Sequence, residues 1–275
     1  MLQISQLLIY PIKSMGGIAL QRAVVTDRGL EHDRRWMLID ANGRFISQRE
    51  RPIMALFLID LTPGGLLVTY APKKTAITIP YKPLKGEMVT VTVWDDNCTA
   101  QLVSDDADRW FSDLLDLNCR LVYMADSDER LVDQRHASPD TINSFSDAYP
   151  FLLIGQASLD DLNSRLTEPL AMARFRPNIV FTGGEPFLED RLHTFTINAI
   201  TFHGVKLCAR CVMITINQQT AETGKEPSKT LAGFRFKDNK ILFGQNLTHE
   251  GTGTIKVGDA LEVLQLHHDE RFVLA

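Results

Sequence analysis

Cys208 and Cys211 stand three residues apart in the run Leu207-Cys208-Ala209-Arg210-Cys211-Val212, with a guanidinium between the two thiols. A free thiol has a pKa of about 8.5, so only a small share is thiolate at neutral pH, and a neighbouring cation or a bound metal would raise that share. Three readings fit the pair. A structural zinc half-site needs two more ligands, and the remaining cysteines, Cys98 and Cys119, form no second close pair. A thioredoxin-like redox pair opens a helix whose dipole lowers the thiol pKa, whereas the β-branched Val212, Ile214, Thr215 and Ile216 predict a strand over 212–217. Two small buried hydrophobes at a strand end fit as well, because free cysteine packs readily.

Three further segments carry groups suited to an anion. Tyr10-Pro11-Ile12-Lys13-Ser14-Met15-Gly16-Gly17 offers an ammonium, a hydroxyl and a flexible glycine pair, although it lacks the order of a Walker loop and also reads as an ordinary basic turn. Asp33-Arg34-Arg35-Trp36 adds two guanidiniums, one of which could simply pair with Asp33 or stack on Trp36. Arg174-Phe175-Arg176-Pro177-Asn178 precedes a strand, so Arg176 and Asn178 could face a ligand from its mouth. The seven histidines form no HxxxH pattern and receive no metal.

These groups must be held by a mostly β scaffold. Short runs bounded by glycine and proline predict strands at 2–10, 36–40, 44–48, 66–70, 75–79, 88–94, 178–182, 194–202, 212–217 and 254–264, with a hairpin at Asn42-Gly43. Helical spacing of Trp110, Phe111, Leu114 and Leu115 predicts a packing helix over 105–117, and Ser158 is the expected cap of a second helix running to about Leu166. The polar stretch 125–146 reads as a loop over a site or a domain connection, and the division of the chain is placed at 117–118. With 29 basic and 34 acidic residues the chain has a net charge of −5, which gives no global attraction to nucleic acid or to an anionic membrane. No apolar run is long enough to span a bilayer, the start lacks the features of a signal peptide, and four cysteines are no disulfide framework, so the expected address is cytoplasmic.

Taken in order, Tyr10-Pro11-Ile12-Lys13-Ser14, Asp33-Arg34-Arg35-Trp36, Ser146-Asp147-Ala148-Tyr149-Pro150-Phe151, Phe175-Arg176-Pro177-Asn178, Cys208-Ala209-Arg210-Cys211, Gly224-Lys225-Glu226-Pro227, Phe243-Gly244-Gln245-Asn246 and Gly253-Thr254-Ile255-Lys256-Val257-Gly258-Asp259 resemble the MOSC-domain proteins that carry an N-terminal β-barrel domain. That group includes the mitochondrial amidoxime-reducing component and its bacterial relatives, and the resemblance spans nearly the whole chain. It implies an α+β, mostly β fold: a β-barrel-like domain over 1–117 packed on a MOSC β-barrel over 118–275, with a few peripheral helices.

The resemblance also implies a molybdenum centre on a pterin dithiolene, with Cys211 as the catalytic thiolate ligand of the metal and Cys208 beside it. The softness of sulfur suits that role. By the same carry-over, Lys13, Ser14 and Arg34 contact the cofactor's terminal phosphate, Asp147, Ala148 and Tyr149 occupy the pterin-contact segment, and Arg176 and Asn178 are further cofactor contacts. Ala148 and Tyr149 stand where some relatives carry hydroxylated side chains, which leaves open whether contact there is through side chain or backbone. The implied activity is reduction of small N-hydroxylated compounds such as amidoximes, hydroxylamines and N-hydroxylated bases. Because 260–275 contains no cysteine for an appended iron–sulfur cluster, electrons are expected from a separate flavin or iron–sulfur protein. Molybdenum-cofactor sulfurases end in a related module, so a cofactor-binding or sulfur-carrier role without reductase activity is the alternative. No upstream pyridoxal-phosphate domain or Schiff-base lysine motif supports it here.

Overall fold

The computed structural model describes residues 1–138, 140–268 and 271–272. The protein is mostly β, with 43% strand against 15% helix, so ladders between distant segments rather than local helix propensity hold it together. Seven strands close a barrel. Around it run Phe151–Gly155, Ile179–Thr182, Leu2–Ile9, Ala260–Leu266, Leu192–Ile197, Ile200–Ala209 and Lys240–Glu250, and the pairs Phe151 with Leu247 and Leu153 with Gln245 seal the last strand to the first. Closure removes the exposed edges that an open sheet would present.

The strand Leu2–Ile9 shows how sequence alternation builds both core and site. Leu7 and Ile9 point into the barrel with Phe151, Leu153, Phe181, Phe195 and Phe202, while Leu8 and Tyr10 face the other way into a cluster with Phe175 and Phe243. A second unit contains a four-stranded sheet, Trp36–Ile39, Arg120–Met124, Asp96–Leu102 and Met88–Val93, and a meander of Phe57–Thr62, Gly65–Tyr70 and Thr75–Ile79. Against them lies helix α1 (Asp105–Leu115), capped by Ser104, whose hydroxyl accepts from the Ala107 N–H, and burying Ala107, Phe111 and Leu115. Two strands cross the sequence division at 117–118: Leu2–Ile9 joins the barrel, and Arg120–Met124 joins Trp36–Ile39.

Several local expectations are corrected. Val212–Thr215 is a 3-10 turn rather than a strand, because the preceding strand ends at Ala209 and Ile214 and Ile216 fold into the core. The Asn42-Gly43 turn forms, but 44–48 makes only isolated bridges through Arg44 and Phe45. Asn198 adopts a left-handed φ of 56° and splits 194–202 into two antiparallel strands, while Gly258 at 93° splits 254–264. Helix α2 (Gln156–Ser164) begins after Gly155; Ser158 is fully buried inside it, donating to Glu189 Oε2 at 2.8 Å and accepting from the Phe187 N–H. The stretch 125–146 contains a small ladder, Arg130–Leu131 with Ile142–Asn143; Pro139 within it lies outside the described residues. Among the described residues no helix is long and apolar enough to cross a membrane.

Candidate functional site

A cavity of about 480 Å³ opens where the second unit meets one side of the barrel. Lys13, Ser14, Arg34, Asp147, Ala148, Tyr149, Arg176, Asn178 and Cys211 all line it, although they come from five separate segments of the chain. Nine lining side chains are basic and two are acidic, the reverse of the chain's net charge, so the cavity is built for an anion.

At the inner end the cations are buried and paired. Lys13 is 4% exposed; its ammonium donates to Phe145 O at 2.6 Å and Asp147 Oδ1 at 2.5 Å. Burial lowers the Lys13 pKa against the opposing pull of Asp147. Arg34 donates to Asp33 Oδ2 at 2.5 Å and to Arg176 O at 3.2 Å, and Arg176 donates to Met15 O at 2.6 Å. Both guanidiniums stack on the Tyr10 ring, Arg34 at 4.3 Å and Arg176 at 4.1 Å from its centroid. Burial pulls Arg176 down to about 10 and pushes the Tyr10 hydroxyl up to about 12 despite the two guanidiniums, so this phenol stays neutral. Its buried oxygen has no hydrogen-bond partner. Ser14, Arg34 and Arg176 all hold left-handed backbone, with φ of 67°, 50° and 57°.

Asp33, 3% exposed, ties this end together by accepting from the Tyr10 N–H at 2.7 Å and Asn178 Nδ2 at 3.0 Å as well as Arg34. Asn178 also donates to Leu8 O and accepts from the Leu152 N–H, so its amide is committed to the protein and is linked to Arg34 through Asp33. The glycine pair has a packing role: a Cβ on Gly17 would lie 2.4 Å from the Tyr10 ring, and one on Gly16 would lie 2.7 Å from Phe57 O.

The segment 146–149 forms one wall. Its shape comes from Arg130, 7% exposed, which donates to Ser144 O at 2.9 Å, Ser146 O at 2.7 Å and Asp147 O at 3.4 Å while pairing with Asp96. The Asp147 side chain is 57% exposed. Partial desolvation raises its pKa, but the Lys13 charge and hydrogen bonds from Lys13 and Trp94 outweigh that and hold the carboxyl below the usual carboxylate range. Ala148 is exposed, and Tyr149 is buried with an unpartnered hydroxyl whose pKa burial pushes up to about 12.

The thiol end is more open. Arg210 donates to Cys208 Sγ at 3.0 Å and to Phe175 O at 2.6 Å, pinning the strand end to the turn at 172–175. Cys211 is exposed, caps the 212–215 turn and has no side-chain hydrogen bond. Arg174 also lines the cavity and, among the described residues, has no ion pair or side-chain hydrogen bond. Sequence reasoning missed Arg130 and Trp94, whose roles depend on partners distant in sequence, and gave no role to Asp33 beyond a simple ion pair.

The donor set suits a phosphorylated metal cofactor: two buried cations, Lys13 and Arg176, the part-buried Arg34, an orphaned Tyr149 hydroxyl and a free soft thiol share one cavity. Family models match the chain twice, as MOSC N-terminal beta barrel domain over residues 1–118 and as MOSC domain over 140–262. It is 32% identical to Mitochondrial amidoxime-reducing component 1 of Mus musculus, over 95% of this chain and 82% of that protein. The corresponding protein of Xenopus laevis is 31% identical, over 93% and 80%. Molybdenum cofactor sulfurase of Solanum lycopersicum is 32% identical over 90% of this chain, which spans only 33% of that longer protein. On the paired domains and the extent of these matches, the chain belongs to the two-domain MOSC family that includes the mitochondrial amidoxime-reducing components.

Proposed function

We propose that the protein is a molybdenum-cofactor-dependent reductase of small N-hydroxylated compounds: amidoximes, hydroxylamines and N-hydroxylated bases. The observation that carries this reading is the pairing, within one cavity, of an exposed unpartnered thiol, Cys211, with a buried cation cluster. Lys13, Ser14, Arg34 and Arg176 would hold the cofactor's phosphate, the 146–149 wall its pterin, and the Cys211 thiolate its metal. When bound, the cofactor supplies two-electron removal of oxygen from nitrogen, so an amidoxime, two electrons and two protons give an amidine and water.

The chain's own part is placement. Asp33 fixes Arg34, Arg130 fixes the wall, and Arg210 fixes the loop ahead of Cys211. Asp147 is ionised and in reach of water, but its salt bridge to Lys13 favours a binding role over proton donation. Electrons would come from a separate flavin or iron–sulfur protein, and four free cysteines fit a reducing compartment such as the cytoplasm.

The test uses protein made in cells competent for cofactor synthesis. Near-stoichiometric molybdenum, lost in Cys211→Ala, together with viologen-driven conversion of benzamidoxime to benzamidine, is the expected result. Molybdenum without any reduction would favour the second reading, a cofactor-binding or sulfur-carrier module, which the similarity to the tomato sulfurase supports.

A further inference from the structure

We propose that Arg174 anchors an anionic group of the substrate, a carboxylate or a phosphate, so that this protein selects N-hydroxylated compounds that carry one. This rests on the reductase reading and names the substrate class of that same cavity.

Side-chain ion pairs balance charge at the inner end of the cavity, where Lys13 meets Asp147 and Arg34 meets Asp33. Six further cations line the same cavity: Arg174, Lys206, Arg210, Lys237, Lys240 and Arg271. Arg210, Lys237 and Arg271 donate to the uncharged oxygens Phe175 O, Arg271 O and Gln245 Oε1, which satisfies donors without cancelling charge. Lys206 reaches a carboxylate, Asp133, only at 3.8 Å. Besides Asp147, the one carboxylate lining the cavity among the described residues is Asp238. A cofactor phosphate held by Lys13, Arg34 and Arg176 therefore leaves a surplus of positive charge for a second anion.

Arg174 is the member of this group that lacks both a partner and full hydration. It lies in the turn Met172–Phe175, which packs against the turn Val212–Thr215 that Cys211 caps. Arg210 ties the two together by donating to Phe175 O at 2.6 Å. Arg174 is half-buried, yet its guanidinium has no ion pair, hydrogen bond or stacked ring among the described residues. Burial lowers its pKa. Lys240, also without a side-chain partner among the described residues, is exposed and keeps its water. A partly desolvated guanidinium without a counter-ion is costly, and its planar fork of donors matches a carboxylate or a phosphate. A neutral amidoxime leaves that cost in place, whereas a substrate bearing an anion removes it.

The experiment compares para-carboxybenzamidoxime with benzamidoxime, and N-hydroxycytidine monophosphate with its nucleoside, in viologen-driven reduction by the molybdenum-loaded protein. Wild type, Arg174→Gln and Arg174→Lys are measured. A higher kcat/KM for the anionic member of at least one pair is expected. That preference should fall about tenfold in Arg174→Gln, through KM, and return in part in Arg174→Lys, which keeps the charge but not the fork. The pair that shows it identifies the anion as carboxylate or phosphate. No preference in the wild type, an equal loss on neutral and anionic substrates, or loss of molybdenum from Arg174→Gln overturns the proposal. Calorimetric binding of para-amidinobenzoate, set against benzamidine, needs no turnover. Tighter binding of the carboxylate that depends on Arg174, with neither amidoxime reduced, supports the anion subsite and sinks the reductase reading alone.

Discussion

The two ends of the cavity solve opposite problems with similar residues. At the inner end Lys13 and Arg176 are buried and Arg34 is part-buried, each donates to protein groups already in place, and three residues hold left-handed backbone. Each such conformation costs about 1–3 kcal/mol and persists only where surrounding structure fixes it, so this end is preorganised. At the outer end Cys211 is exposed, and Arg174 and Lys240 have no side-chain partner among the described residues. The contrast teaches that one end of the cavity is a rigid, internally satisfied cradle while the other is left open to solvent.

The most severe break should come at the open end. Cys211→Ala is expected to abolish both molybdenum retention and reduction, read by elemental analysis and turnover, while leaving the unfolding midpoint close to wild type because the residue is exposed. At the rigid end, Asp33→Ala leaves the part-buried Arg34 without its counter-ion and the Tyr10 N–H unpaired. Urea unfolding should show a loss of about 3–5 kcal/mol; a loss below about 1 kcal/mol would mean that the cradle is not preorganised through Asp33.

A third prediction concerns stability remote from both ends. Burial, with Asp190 beside it, pushes Glu189 from its ordinary value of 4.5 up to about 7. Between those values the folded state binds more protons than the unfolded state, so stability falls as pH rises from about 4.5 to 7, by about 3 kcal/mol in all, and stays low above that. Glu189→Gln should flatten that slope in urea unfolding measured at acid and alkaline pH, and retention of the full slope would place its origin elsewhere. Next in size, Arg34→Ala should weaken cofactor retention by about 1.5–3 kcal/mol, or about 10- to 150-fold, in competition against an apo acceptor protein. The smallest effect belongs to Cys208→Ala, which should keep molybdenum and most activity; a loss equal to that of Cys211→Ala would instead indicate a dithiol mechanism.

Much of this contrast was legible in the chain. The groups at Lys13, Ser14, Arg34 and Arg176 offer an anion site by type, and the Cys208 and Cys211 pair offers a soft ligand, because charge and softness are properties of side chains, but type alone left a basic turn and two packed thiols as equal readings. What escaped depends on proximity created by folding. Arg130 shapes the 146–149 wall through carbonyls 14 to 17 residues away, and Trp94 reaches Asp147 across 53. Nor did β propensity predict the turn at Val212–Thr215, where burial of Ile214 and Ile216 overrides it. The glycine pair illustrates a right residue with a different reason: Gly17 is there for the Tyr10 ring to lie flat against the backbone.

The sequence by itself determined the β class, through short alternating runs broken by turn residues, and the family, through its ordered motifs. It also determined which side chains could do chemistry. Only the tertiary structure decided that the first strand closes the distant barrel, that five segments meet in one cavity, and that Lys13, Arg34 and Arg176 are partnered while Arg174 and Lys240, among the described residues, are not. The physical reason is that strand pairing and ion pairing between residues more than a hundred positions apart are set by burial and ladder closure, which no local pattern encodes.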